Sequence, residues 1–219
     1  MTKQLRFTLL ILVMSLLIPG CSSTDQGYLT PINSILRNSP PLDIKEQWFQ
    51  AIRYGDIPIV QQFLTDGWDI ETKLYALGSC DTGLMIACYY GLYDMVCFLL
   101  ENGADVLFKS PSGFTAMKIA GSQSDSRIIS ILLLFEAEPT DCLLNVCKYG
   151  YRDHLVIALA ESTLDDVNST EALICSAYLG RYDFLNLLLA NGAPYNENAY
   201  RVAIEQGHTT CAELLLEYK

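Results

Sequence analysis

Eight cysteines and two histidines are the side chains of this 219-residue chain best suited to nucleophilic or metal chemistry, and their placement forms no reactive set. A zinc or redox site uses thiolates paired at short spacing, and no C-x-x-C occurs. His154 and His208 stand far apart, neither at metal-ligand spacing from a second ligand. Both fall at helix starts, where a solvent-side position is expected. Asp165 and Asp166 are adjacent carboxylates in a loop, and neighbouring loop side chains point apart, so they read as a solvated pair. There is no phosphate-cradling glycine loop and no G-x-S-x-G. The sequence therefore assigns no catalytic residue, no metal site and no cofactor.

The remaining chemistry is that of contact. Tyr54, Tyr89, Tyr90, Tyr149 and Tyr178 each stand one or two residues ahead of a glycine, namely Gly55, Gly91, Gly150 or Gly180. Tyrosine offers a large contact area at low entropic cost and is enriched at binding hot spots. Tyr93, Tyr151 and Tyr182 add a second set just past the same glycines. The alternative is that each ring packs on a neighbouring helix with its hydroxyl in water. The net charge of −11, with Lys and Arg scattered singly, argues against a phosphate-backbone partner. It favours a protein partner with a basic or mixed face.

The elements that would hold these tyrosines repeat. Moved forward by 33 residues, the stretch from Thr82 to Val106 falls on itself: Thr82 on Thr115, Leu84 on Met117, Ala87 on Ala120, Leu99 on Leu132 and Ala104 on Ala137. Within it, Leu84, Ile86, Ala87 and Cys88 make one helical stripe, and Met95, Val96, Phe98, Leu99 and Leu100 make a second. Gly91 and Gly103 supply the positive φ that a helix end uses. Each helix pair is too small to bury its own apolar face and must stack on a neighbour.

The pattern T-x-L-x-x-A-C-x-x-G followed by L-L-x-x-G-A-D-V resembles the ankyrin repeat, with Gly83 or Ala116 in place of its proline and Met85 or Lys118 in place of its histidine. The resemblance implies an all-α solenoid of about six helix-turn-helix repeats with short finger loops, over residues 43–219. The inter-helix positions are Gly55, Gly91, Ser124, Gly150, Gly180 and Gly207, spaced by 36, 33, 26, 30 and 27 residues, so the fingers shorten in the second half. Repeat three is degenerate, with Ser124 and Glu136 where glycines are expected. Asp43 and Glu46 carry a capping-box spacing at the first helix, and about Glu71 to Asp81 is an extended link. Repeat six closes the array. Seven cysteines lie beyond Cys21. Most fall on apolar helix faces as small hydrophobes, and Cys147 with Cys175 is the pair best placed for a bridge. In ankyrin arrays the residues before the inter-helix glycine face the concave groove, which would make the tyrosines an aromatic, partner-binding strip in an acidic groove.

Residues 1–20 stand apart. Lys3 and Arg6 precede the apolar run Phe7 to Ile18, too short to span a bilayer but suited to a secretion signal. Leu17-Ile-Pro-Gly-Cys21 resembles the bacterial lipoprotein box, which implies cleavage after Gly20 and lipidation of Cys21. Cleavage would take the net charge from −11 to −13. Ser22 after the cysteine implies the periplasmic face of the outer membrane; an inner-membrane anchor, a soluble periplasmic product of a plain signal peptide, or an uncleaved anchor are the alternatives. Residues 21–42, rich in Ser, Thr, Asn and Pro, read as a tether. Lipoproteins that look like this one include immunity proteins that block secreted antibacterial toxins, often phospholipases. The alternative is a scaffold or adaptor for an envelope enzyme.

Overall fold

The structure, a computed structural model, describes residues 43–76, 79–160, 164 and 167–219. The signal segment, Cys21, the tether and the Asp165-Asp166 pair lie outside the described residues. The chain divides into Met1–Pro41 and Leu42–Lys219, and every described element belongs to the second unit.

These elements are α1 (Ile44–Arg53), α2 (Ile57–Thr65), β1 (Leu74–Ala76), β2 (Ser79–Asp81), α3 (Gly83–Tyr89), α4 (Tyr93–Glu101), α5 (Ala116–Ala120), α6 (Ser126–Leu134), a 3-10 turn (Pro139–Cys142), α7 (Leu143–Tyr149), α8 (Arg152–Ala160), α9 (Val167–Tyr178), α10 (Tyr182–Ala190), α11 (Glu197–Glu205) and α12 (Thr209–Glu217). Among the described residues they form six helix pairs. The odd-numbered inner helices pack each on the next from α1 to α11, and the outer helices do the same from α4 to α12.

The stacking follows from residue size. Four places ahead of each inter-helix position stand Ala51, Ala87, Ala120, Val146, Ser176 and Ala203, all buried and all small enough to let inner helices approach. Ser176 satisfies its buried hydroxyl by donating to the Ala172 carbonyl at 2.8 Å. Five places past it stand Val60, Val96, Ile129, Leu155, Leu185 and Ala212, and these fill the seam between outer helices. Leu99, Leu132, Ala158, Leu188 and Leu215 form a third buried row. The first repeat closes its end with Trp48, Phe63 and Trp68, whose rings meet edge to face or tilted at 5.6 to 6.5 Å. On the last described inner helix Ile204 is 50% exposed.

Inner helices end as the glycines require. Gly55, Gly91, Gly150, Gly180 and Gly207 have φ between 65° and 85°. The next residue returns its N–H five places back, as in Asp56 to Ala51, Leu92 to Ala87, Arg181 to Ser176 and His208 to Ala203. Repeat three departs from this. Ser124 is not in the left-handed region; α5 instead stops early at Gly121, and turn bonds from Ser122 to Ile119 and from Gln123 to Ala120 carry the chain on. A Cβ on Gly121 would lie 2.8 Å from the Cys142 carbonyl oxygen, so glycine is needed there for close approach of the 3-10 turn. At the end of α6, Glu136 is forced to φ 67°, the only described non-glycine residue at positive φ, because Ala137 still bonds back to Leu132.

The extended link contains a two-stranded antiparallel hairpin, with Leu74 opposite Asp81, Tyr75 opposite Cys80 and Ala76 opposite Ser79. The second finger turns through Ser110 and Gly113, and its start is tied to the first by the Asp105 N–H donating to Glu71 Oε1 at 2.8 Å. Between repeats three and four the 3-10 turn replaces a finger. There Thr115 Oγ1 donates to Asp141 and Asn168 Nδ2 donates to the same carboxylate, linking three repeats by side chains. Asp43 does occupy the N-cap of α1, but its side chain makes no cap bond, and Glu46 accepts from Gln50 Nε2 instead of completing a capping box.

His154 is not on the solvent side. It is 3% exposed, stacked on Tyr151 at 4.9 Å and hydrogen-bonded to the main chain of Gln123, while its Nε2 meets no protein partner. Repeat three's long descent to α6 covers it. Burial pushes its pKa below the ordinary imidazole value, against weaker pulls from the Gln123 bond and the Asp153 and Asp125 carboxylates.

Repeat three can be tested at two positions. Glu136→Gly relieves the left-handed strain and should stabilise by about 0.5–1 kcal/mol, after the entropic cost of glycine. Gly121→Ala should cost about 1–3 kcal/mol by overpacking; urea midpoints of the two variants should move in opposite directions. For His154, a folded pKa below the unfolded one means that the unfolded chain gains its proton first. Stability is therefore full above about pH 6.5 and falls as pH drops below it toward the depressed folded value. The urea midpoint should decline as pH falls through and below about 6.5, the ordinary imidazole value, and His154→Phe should flatten that decline.

Candidate protein-binding surface

The positions three and four places before Gly55, Gly91, Gly150 and Gly180 are buried, so the two residues directly before each glycine stand past the buried face. Tyr54, Tyr149 and Tyr178 are half exposed or slightly more, and Tyr89 and Tyr90 are 44% and 39% exposed. All five sequence-predicted tyrosines thus stand in water at the last turn of an inner helix. Leu179, at 40%, and Tyr182 join them. Repeat three interrupts the row with Ser122 and Gln123, and repeat six ends it with Glu205 and Gln206.

The tyrosines are held by local contacts. Tyr89 and Tyr90 meet edge to face at 5.2 Å, and the Arg53 guanidinium lies 5.2 Å from the Tyr90 ring centre, bridging repeats one and two. Tyr149 stacks on Tyr151, which stacks in turn on His154. The Lys148 ammonium lies 5.6 Å from the Tyr149 ring centre.

Sequence reading missed a lock between repeats. Arg181 lies over Gly150, against the place a Cβ would take, and its Nη2 donates to the Lys148 carbonyl at 3.1 Å. His208 does the same one repeat on, with its ring 2.6 Å from the Cβ position of Gly180 and its Nε2 3.1 Å from the Tyr178 carbonyl oxygen. Each satisfies a carbonyl that the ending inner helix leaves open. The signal was present in the sequence as a polar side chain directly after the glycine.

Among the described thiols none is activated as a nucleophile. Cys147 and Cys175, the pair that a bridge would have used, are both free thiols, in keeping with cysteines that serve as small hydrophobes. Burial raises the Cys142 and Cys147 thiols to about 12 and lifts Cys88 further. Such groups stay protonated at neutral pH and neither attack nor ligate. Among the described residues no three His, Cys, Asp or Glu side chains lie together as a metal site.

Residues 48–142, less than half of the chain, match the family model for ankyrin repeats, in three copies. The chain is 32% identical over 137 residues to the ankyrin repeat, SAM and basic leucine zipper domain-containing protein 1 of Mus musculus, covering 59% of this chain and 28% of that protein. It is 27% identical over 156 residues to the ankyrin repeat and KH domain-containing protein mask-1 of Caenorhabditis elegans, covering 66% of this chain and 6% of that one. The chain thus spans less than a third of the length of these relatives. The crystal structure of the human ASB11 ankyrin repeat domain superposes with a TM-score of 0.62 at 22% identity, over 78% of this chain and 82% of that chain. The buried rows, the glycine turns and these likenesses agree: residues 48–142 carry ankyrin repeats, and the described chain folds as an ankyrin-repeat solenoid.

Proposed function

We propose that this chain is a non-enzymatic binding module that meets a protein partner along the tyrosines ending its inner helices, and that lipid on Cys21 holds it at the outer membrane facing the periplasm. The observation that carries the contact reading is the exposure of Tyr54, Tyr89, Tyr90, Tyr149 and Tyr178 at equivalent places in four repeats. Exposed aromatic surface in register is the composition of an interface hot spot. The membrane reading is supported by the basic start, short apolar core and Leu17-Ile-Pro-Gly-Cys21.

The partner class we propose is a secreted antibacterial effector of phospholipase type, with the array acting as its immunity protein by covering the active site. Lipidation would place the module beside the membrane that such an enzyme attacks. A rigid stack of repeats suits occlusion, since a preorganised surface loses little entropy on binding.

Tyr90→Ala combined with Tyr149→Ala should weaken binding of the protein partner, isolated by pull-down from the native envelope, by about 2 kcal/mol or more while the urea midpoint is kept. Unchanged affinity in calorimetry would move the interface elsewhere. Cys21→Ser should transfer the protein from the membrane pellet to the soluble periplasmic fraction.

A further inference from the structure

We infer that the segment gripped by the tyrosine row is acidic: a stretch of the partner with carboxylates interleaved with apolar residues. This rests on the reading of the tyrosines as the contact surface and adds the chemistry of what they contact.

The chain has 25 acidic and 14 basic residues, yet the last turns of the first five inner helices contain no carboxylate. They contain Arg53, Lys118 and Lys148. The carboxylates that do occur on the inner helices α1, α3, α5, α7 and α9, Glu46 and Glu171, lie before the last turns of their helices. Negative charge returns to the row only at Glu205, in the last repeat.

A cation in the last turn also meets the helix dipole favourably, and that accounts for the preference of position. It does not account for the lack of partners. Among the described residues the ion pairs are Arg127 with Asp125, Arg201 with Glu205 and Lys219 with Glu197, which lie on α6 and in the last repeat and its approach. Arg53 and Lys148, in the row, make no such pair despite the excess of carboxylates, and in this they are like most described Lys and Arg. Arg53 and Lys148 are exposed, and each rests beside the ring of a row tyrosine. A guanidinium or ammonium held over an aromatic face presents its remaining N–H groups outward and binds a carboxylate by charge-assisted hydrogen bonds. The neighbouring ring takes an adjacent apolar side chain.

The test uses the purified full-length chain and two labelled peptides of equal length and equal Phe and Gly content, with Glu at the charged positions of one and Lys in the other. Fluorescence anisotropy should show the Glu peptide binding at least about tenfold tighter. Arg53→Gln with Lys148→Gln should weaken it at least about fivefold, with the urea midpoint kept, and Tyr90→Ala with Tyr149→Ala should weaken it as well. If the Lys peptide binds better, is weakened by the tyrosine pair and is strengthened by the Gln pair, the acidic assignment is overturned while the tyrosine surface stands. If the Glu peptide binds no better than the Lys peptide, or binds indifferently to both variant pairs, the inference also fails. The partner-binding experiment on the tyrosines then judges the contact reading on its own.

Discussion

The structure depends on how closely one inner helix can lie on the next. That distance is set by the row Ala51, Ala87, Ala120, Val146, Ser176 and Ala203, in which no side chain is larger than valine. A leucine in this row would force neighbouring repeats apart along their length, because interiors are packed to crystal density and cannot absorb an added side chain locally. The larger residues sit one layer away, in the outer seam and in the row of Leu99, Leu132, Leu188 and Leu215. Since each repeat touches only its neighbours, the apolar area buried between repeats is nearly the whole of the stabilisation, and no single pair of helices could persist alone.

The same spacing fixes what faces water. The glycine turn reverses the chain within two residues, so the last turn of each inner helix protrudes beyond the packed rows. Its open carbonyls are met by the following repeat, through Arg181 at Lys148 and His208 at Tyr178. One device therefore does two things: it links neighbouring repeats and holds the helix ends that carry Tyr149 and Tyr178 in fixed register. A surface built this way is stiff without needing a disulfide, which agrees with the free state of Cys147 and Cys175.

Much of this was legible in the sequence, because the repeat is a spacing and spacing survives changes of residue. The six turns, the buried Ala87 and Leu99, the degenerate third repeat and the exposed tyrosines all follow from periodicity and glycine placement. What was illegible depends on neighbours in space. His154 reads as a helix-start residue, but in the fold it meets the Gln123 main chain of the preceding repeat and the Tyr151 ring and is buried. Asp43 and Glu46 have the spacing of a capping box, but Glu46 has a nearer partner in Gln50. The local charge of the tyrosine row is easily overlooked too, since Arg53 and Lys148 are single basic residues in an acidic chain and share a position only when the repeats are aligned.

Net charge and local charge act on a partner at different distances. A chain of net charge −11 draws basic or mixed surfaces toward it, yet its row of tyrosines carries cations. Far from the surface a partner feels the sum of all charges, and beyond about 10 Å at ordinary ionic strength even that is screened. In contact it feels the groups it touches, where water is excluded and a single guanidinium outweighs many distant carboxylates. An acidic array with a locally basic grip can therefore be reached by a partner of mixed charge and hold it in one orientation, with the partner's carboxylates on the inner-helix ends and its basic surface against the acidic remainder. Attraction then sets the rate of encounter and the row sets the register, a division that a uniformly acidic surface could not make.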